Sequence, residues 1–215
     1  MLARVEIKIC GLTTEEDVDL ALSEGADFFG FIVYPKSPRG LSLERAASLS
    51  KRIPPEKRVI VDVEPRLEDL ARYRDAGFAN FQIHASVPTS LATAEAWSGI
   101  VGKSRLWLAP RLQPGDPFPE SLLAYADTIL VDTYSSQQIG GTGQTGDWGS
   151  FSDWRQAYPS TKWVLAGGLH PANVLDAIAA TGAEHIDVNS GVELRPGKKD
   201  PAKLQELFRV MRSSA

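Results

Sequence analysis

Cys10 is the only cysteine in the chain, and it stands where an apolar run, Val5 to Ile9, meets Gly11 and a helix start at Thr13 and Thr14. A thiol at the C-terminal end of a strand sits on the catalytic rim when that strand belongs to a parallel α/β barrel. Strand side chains alternate, so Lys8 shares the face of Cys10 about 7 Å away, near enough in a dry site to favour thiolate over thiol. The thiolate is the reactive form, and an unperturbed thiol with a pKa of about 8.5 is mostly protonated at neutral pH. Against this, a free cysteine is often a small buried hydrophobe, and Lys8 can equally be half of a buried ion pair that only holds the barrel. The same alternation puts Gln82 with His84, and Asp187 with Asn189. If these faces point inward, the barrel mouth is polar.

Glycine supplies the second chemical signal. Asp132 ends the run that begins at Thr128 and opens a long loop in which Gly140 to Gly143 reads GGTG. Such a stretch lets backbone N–H groups approach an anion closely, although alone it is as readily a flexible loop. Two more strand ends carry the same feature: Gly167 and Gly168 precede a helix start at Pro171, and Asn189 is followed by Ser190 and Gly191. Barrel enzymes commonly bind phosphate with the loops after strands seven and eight and a helix N-terminus. Three glycine-bearing loops on consecutive strands point to a phosphate site.

The elements that must position these groups repeat in a regular order. Strands are predicted at Val5 to Ile9, Phe28 to Val33, Arg58 to Val63, Ala79 to His84, Arg105 to Ala109, Thr128 to Val131, Lys162 to Ala166 and His185 to Val188. Amphipathic segments between them begin near Thr14, Ser42, Pro65, Pro88, Pro119, Gly149, Pro171 and Pro201, several with proline where a first helical turn tolerates it. Eight βα units admit a closed barrel or an open doubly wound sheet. The open form should show GxGxxG after its first strand, and Gly11-Leu-Thr-Thr does not, so the expected fold is a compact (β/α)8 TIM barrel, one domain over residues 1–215. Only Tyr34 to Leu41 and Asp132 to Trp148 are long loops rich in glycine and proline.

Composition sets the context. The chain has 215 residues, 43% hydrophobic and 23% charged, enough for one large core. Its formal net charge of −4 includes no basic run, which argues against a nucleic-acid partner. A single cysteine forms no internal disulfide, and neither a leader-like start nor a membrane span is visible, so the expected setting is cytoplasmic, with no membrane partner and a small-molecule ligand. The three histidines, His84, His170 and His185, lack the local spacing of a zinc site.

Six segments, KICGLTT (Lys8 to Thr14), GADFFGFIVYPKSPR (Gly25 to Arg39), LVDT (Leu130 to Thr133), GGTGQTGDW (Gly140 to Trp148), LAGGLHPANV (Leu165 to Val174) and VNSGVELRPGKKD (Val188 to Asp200), run from the first strand to the last helix. Together the chain resembles the phosphoribosylanthranilate isomerase family of tryptophan biosynthesis, which performs an Amadori rearrangement. The resemblance implies roles residue by residue: Cys10 as general base, Asp132 as general acid and Arg39 as partner of the anthranilate carboxylate. Gly141, Gly143, Gly168, Ser190 and Gly191 match the phosphate cradle, and Lys8 counts among the substrate-binding residues. A guanidinium fork fits a planar carboxylate.

In that scheme protonated Asp132 donates to the ribose ring oxygen, the furanose opens to a Schiff base, and the Cys10 thiolate removes the C2′ proton that the cationic imine acidifies. The enolamine then tautomerises to 1-(2-carboxyphenylamino)-1-deoxyribulose 5-phosphate, and neither cofactor nor metal is expected. Other enzymes of tryptophan biosynthesis are implied as partners. The chain departs from the family pattern where Asp62 and Glu64 replace the usual Phe and Asn, where strand four reads FQIHA, in strand five (LWLAPRLQ), and at Gly146, which replaces Phe. Two extra carboxyls are therefore expected near the mouth, Asp62 being a candidate partner for Lys8. Two other readings stay open: a phosphosugar isomerase or lyase of altered specificity on the same barrel, or an inactive barrel that binds a phosphorylated metabolite.

Overall fold

Residues alternate along the first strand, β1 (Glu6–Ile9): Ile7 and Ile9 face outward, while Lys8 and, just beyond, Cys10 face inward. The same alternation runs through β2 (Phe28–Ile32), β3 (Arg58–Val63), β4 (Asn80–Ser86), β5 (Leu106–Arg111), β6 (Thr128–Asp132), β7 (Lys162–Ala166) and β8 (His185–Val188). All neighbours are parallel, and β8 pairs back onto β1 with Lys8 opposite Asp187, which closes the barrel in chain order. The computed structural model describes residues 4–86, 91–113, 115–132 and 148–213.

Closure sorts the apolar residues into two cores. Inside, Cys10, Val59, Val61, Trp107, Ala109, Leu130, Val164 and Ala166 pack together. Outside, residues such as Ile7, Phe29, Phe31, Ile83 and Ile186 pack under the helices. At the N-terminal end of the barrel, Phe28, Trp107 and His185 form a floor with ring centroids 5.1 to 5.2 Å apart. Burial lowers the pKa of His185 to about 3. Its Nδ1, 3.5 Å from Glu6 Oε2, therefore belongs to a neutral ring at ordinary pH and forms no ion pair.

The helices follow the expected order with one exception. They are α1 (Glu15–Glu24), α2 (Leu43–Ser50), α3 (Leu67–Asp75), α4 (Leu91–Val101), α5 (Trp148–Ala157), α6 (Val174–Thr181) and α7 (Pro201–Ser213). Thr14 caps α1, accepting from Asp17 N at 3.2 Å, and Ser42 caps α2 in the same way. The helix predicted from Pro119 is instead a 3-10 turn, Glu120–Ala124. The segment closes in i→i+3 turns instead, Leu122 N donating to Pro119 O and Tyr125 N to Leu122 O, both at 3.0 Å. A short hairpin the sequence pattern did not announce, β9 (Glu193–Arg195) with β10 (Lys198–Lys199), follows β8. It is stapled to the β1–α1 turn: Thr13 Oγ1 donates to Gly197 O, and Lys198 pairs with Asp17 at 3.2 Å.

Candidate active site

At the C-terminal rim, a cavity of about 370 Å3 opens over the inner core. Cys10 from the end of β1 and Asp132 from the end of β6 both line it, together with Arg39, Gly168, Ser190 and Gly191. Going round the barrel, the strands that carry the glycine loops, β7 and β8, lie between those that carry Asp132 and Cys10. Gly141 and Gly143 fall outside the described residues, as does Gly146.

Cys10 is held by its backbone, whose N–H donates to Val188 O at 2.9 Å, and the next residue, Gly11, turns the chain with a φ of 72°. Burial pushes its thiol pKa above the ordinary value, Lys8 pulls it down and Asp187 adds to the rise. Lys8 is wholly enclosed beneath the thiol, its ammonium 2.9 Å from Asp187 Oδ1. It therefore reaches the site through Cys10 and Asp187 rather than by lining the cavity. Space for this arrangement comes from Gly30 on β2, where a Cβ would sit 2.8 Å from both Cys10 Sγ and Lys8 Nζ.

The loops after β7 and β8 press against each other. A Cβ on Gly191 would fall 1.9 Å from Leu169 O, so only glycine permits this approach. Asn173 pins the β7 loop by donating to Gly168 O at 3.0 Å and accepting from His170 N at 2.8 Å. Ser190 starts the 3-10 turn Ser190–Val192 directly above.

Arg39 ends the β2 loop with its fork occupied. Its Nε and Nη2 donate to the Glu193 carboxylate at 2.8 and 2.6 Å, while its side chain still borders the cavity. His84 and Gln82 from β4 and Asp187 and Asn189 from β8 complete the wall. Burial holds the His84 imidazole near a pKa of about 4, with Lys8 and Arg111 adding to the shift. Alternation had shown that these side chains share the inner face, although their types alone assigned them no role.

Both extra carboxyls prove to be structural. Asp62 does not neutralise Lys8: it lies on the outer face of β3 beside Ile60, accepts from Tyr73 Oη at 2.7 Å and from Val63 N at 2.8 Å, and Lys8 is paired with Asp187. Burial raises its pKa, opposed by those hydrogen bonds. Glu64, at a φ of 45°, accepts from Ser86 N at 2.8 Å and ties the ends of β3 and β4 together. Among the described residues, no cluster of His, Cys, Asp and Glu is arranged to hold a metal ion, and no helix is long and apolar enough to cross a membrane.

A closed βα barrel whose C-terminal cavity is lined by a thiol, a carboxyl and glycine-bearing loops has the architecture of a barrel enzyme. The family model for N-(5'-phosphoribosyl)anthranilate (PRA) isomerase matches residues 7–210. An N-(5'-phosphoribosyl)anthranilate isomerase of Citrifermentans bemidjiense is 38% identical over 94% of this chain and 95% of its own. The crystal structure of phosphoribosyl anthranilate isomerase from Thermotoga maritima, 31% identical, superposes with a TM-score of 0.78 over 97% of this chain and 99% of its own. A third relative, 29% identical, is a phosphoribosyl anthranilate isomerase solved with reduced 1-(o-carboxyphenylamino)-1-deoxyribulose 5-phosphate; its TM-score is 0.75, covering 97% of this chain and 99% of the other. The chain belongs to the N-(5'-phosphoribosyl)anthranilate isomerase family.

Proposed function

We propose that this protein catalyses the Amadori rearrangement of N-(5'-phosphoribosyl)anthranilate to 1-(2-carboxyphenylamino)-1-deoxyribulose 5-phosphate, with Asp132 as general acid and Cys10 as general base. The observation that carries the reading is the cavity shared by Cys10, Asp132, Gly168, Ser190 and Gly191. A sugar phosphate anchored by the β7 and β8 loops would lie between acid and base. Asp132 donates its proton to the ring oxygen as the C1′–O bond breaks, and the anilino nitrogen's lone pair forms the iminium. Cys10 takes the C2′ proton, its C–H electrons flow into the C1′–C2′ bond and neutralise the nitrogen, and the enolamine tautomerises to the ketone.

Lys8 supports the base from beneath, and Arg39 at the cavity edge receives the anthranilate carboxylate. Gly141 and Gly143 contribute to the phosphate cradle in this reading. A step of tryptophan biosynthesis implies a cytoplasmic setting beside the other enzymes of that route, and the whole chain, 1–215, acts as one barrel domain. The alternative of altered specificity loses its main support, since Asp62 and Glu64 are committed to Tyr73 and Ser86. Purified protein mixed with freshly prepared phosphoribosylanthranilate should abolish the anthranilate fluorescence at an enzyme-dependent rate. A rate no greater than spontaneous decay would overturn the assignment.

A further inference from the structure

Arg39 belongs to a cluster of three charged side chains of which only its own reaches the cavity. Behind it, Glu193 on β9 is 4% exposed and Lys199 on β10 is not exposed at all. Glu193 Oε1 accepts from Arg39 Nε at 2.8 Å, Gly197 N at 3.2 Å and Lys199 Nζ at 3.3 Å, and Oε2 accepts from Arg39 Nη2 at 2.6 Å. Lys199 Nζ also donates to the backbone and side-chain oxygens of Asn189, both at 3.1 Å. Three acceptors, one of them a carboxylate, match the proton count of an ammonium group. Burial lowers the Lys199 pKa, while Glu193 opposes that shift.

The charge balance gives this cluster a purpose. An arginine and a glutamate alone would cancel, leaving little to attract a second carboxylate. Lys199 supplies the surplus cation, while Glu193, gripping Nε and Nη2, fixes the plane of the guanidinium and leaves its Nη1 edge outside the pair. We propose that Glu193 and Lys199 are positioning residues that turn Arg39 into a rigid carboxylate receptor with one net positive charge, and so set the preference for a carboxylated over a plain anilino ligand. The inference rests on the reading of Arg39 as the anthranilate partner. It also assigns a task to the β9–β10 hairpin: carrying both groups into the interior.

Affinity for two probes tests it: reduced 1-(2-carboxyphenylamino)-1-deoxyribulose 5-phosphate and the same compound without the carboxylate. Wild type should prefer the carboxylated probe, and Arg39→Ala should lose that preference. Lys199→Met, with a neutral receptor, should weaken the carboxylated probe about 10-fold or more and leave the other within about twofold. Glu193→Gln/Lys199→Met restores the single net positive charge, with the Gln amide oxygen still accepting from Arg39, and should recover most of the loss, whereas a merely structural cluster would be damaged further. If Lys199→Met does not fold, Glu193→Gln, which keeps Lys199 and one acceptor oxygen on Arg39, should bind the carboxylated probe more tightly than wild type and the other within about twofold. Equal weakening of both probes, no change, or a double variant worse than Lys199→Met would overturn the proposal. Absence of any preference in wild type would instead defeat the reading of Arg39 itself.

Discussion

In the proposed reaction the Cys10 thiol must ionise to act as base, and its neighbours decide how readily it does so. Burial raises its pKa, Lys8 lowers it and Asp187 raises it again. The activity carried by thiolate therefore grows as pH rises through that elevated value, giving kcat/KM an ascending limb above neutrality. Lys8→Met should move this limb to higher pH and Asp187→Asn to lower pH, at a stability cost of about 3–5 kcal/mol for breaking the buried pair. Limbs that stay in place in both variants would contradict the electrostatic role given to the pair. Position in a strand predicted the Lys8–Cys10 face, but not the identity of Lys8's partner. As an extra carboxyl expected near the mouth, Asp62 is a candidate partner, yet it falls on the opposite face from Val61 and Val63, as the period of two requires. Asp187, far away in sequence, becomes adjacent only when β8 closes onto β1.

Among the elements, those with the strongest local signal matched expectation most closely. The bounds of β3, β7 and β8 agree with the predicted runs, because short β-branched or aliphatic stretches end there at turn residues. The segment after Pro119 did not: despite its amphipathic pattern it closes in i→i+3 turns. The β9–β10 hairpin was hidden for a different reason: its strands are very short and polar, and tertiary ion pairs hold them in place. Gly30 shows how an element can serve the site by what it omits. Gly30→Ala would drive a Cβ against Cys10 Sγ and Lys8 Nζ, and should destabilise the barrel by about 1–3 kcal/mol. Displacing the thiol should also cut kcat by about 10²-fold. Denaturant unfolding and initial rates measure the two effects, and a wild-type kcat would show that the thiol does not need this space.

For the whole molecule, the barrel's cyclic order is what brings the proposed acid and base to one cavity although more than half the chain separates them. Strands six, seven, eight and one follow each other round the closed sheet, so the carboxyl of Asp132 and the thiol of Cys10 stand on either side of loops suited to phosphate. Fold class, the inner faces and this cavity could be read from the sequence, since they depend on period and order. The pairing of Lys8, the commitments of Asp62 and Glu64, and the charged triad behind Arg39 could not, because each is a long-range contact that exists only after closure. In the proposed reaction, acid and base are divided between Asp132 and Cys10. Steady-state turnover of phosphoribosylanthranilate by Cys10→Ala and Asp132→Asn, each shown to be folded, tests it most directly: kcat should fall by roughly 10²- to 10⁴-fold in each, and a wild-type rate in either would contradict the account.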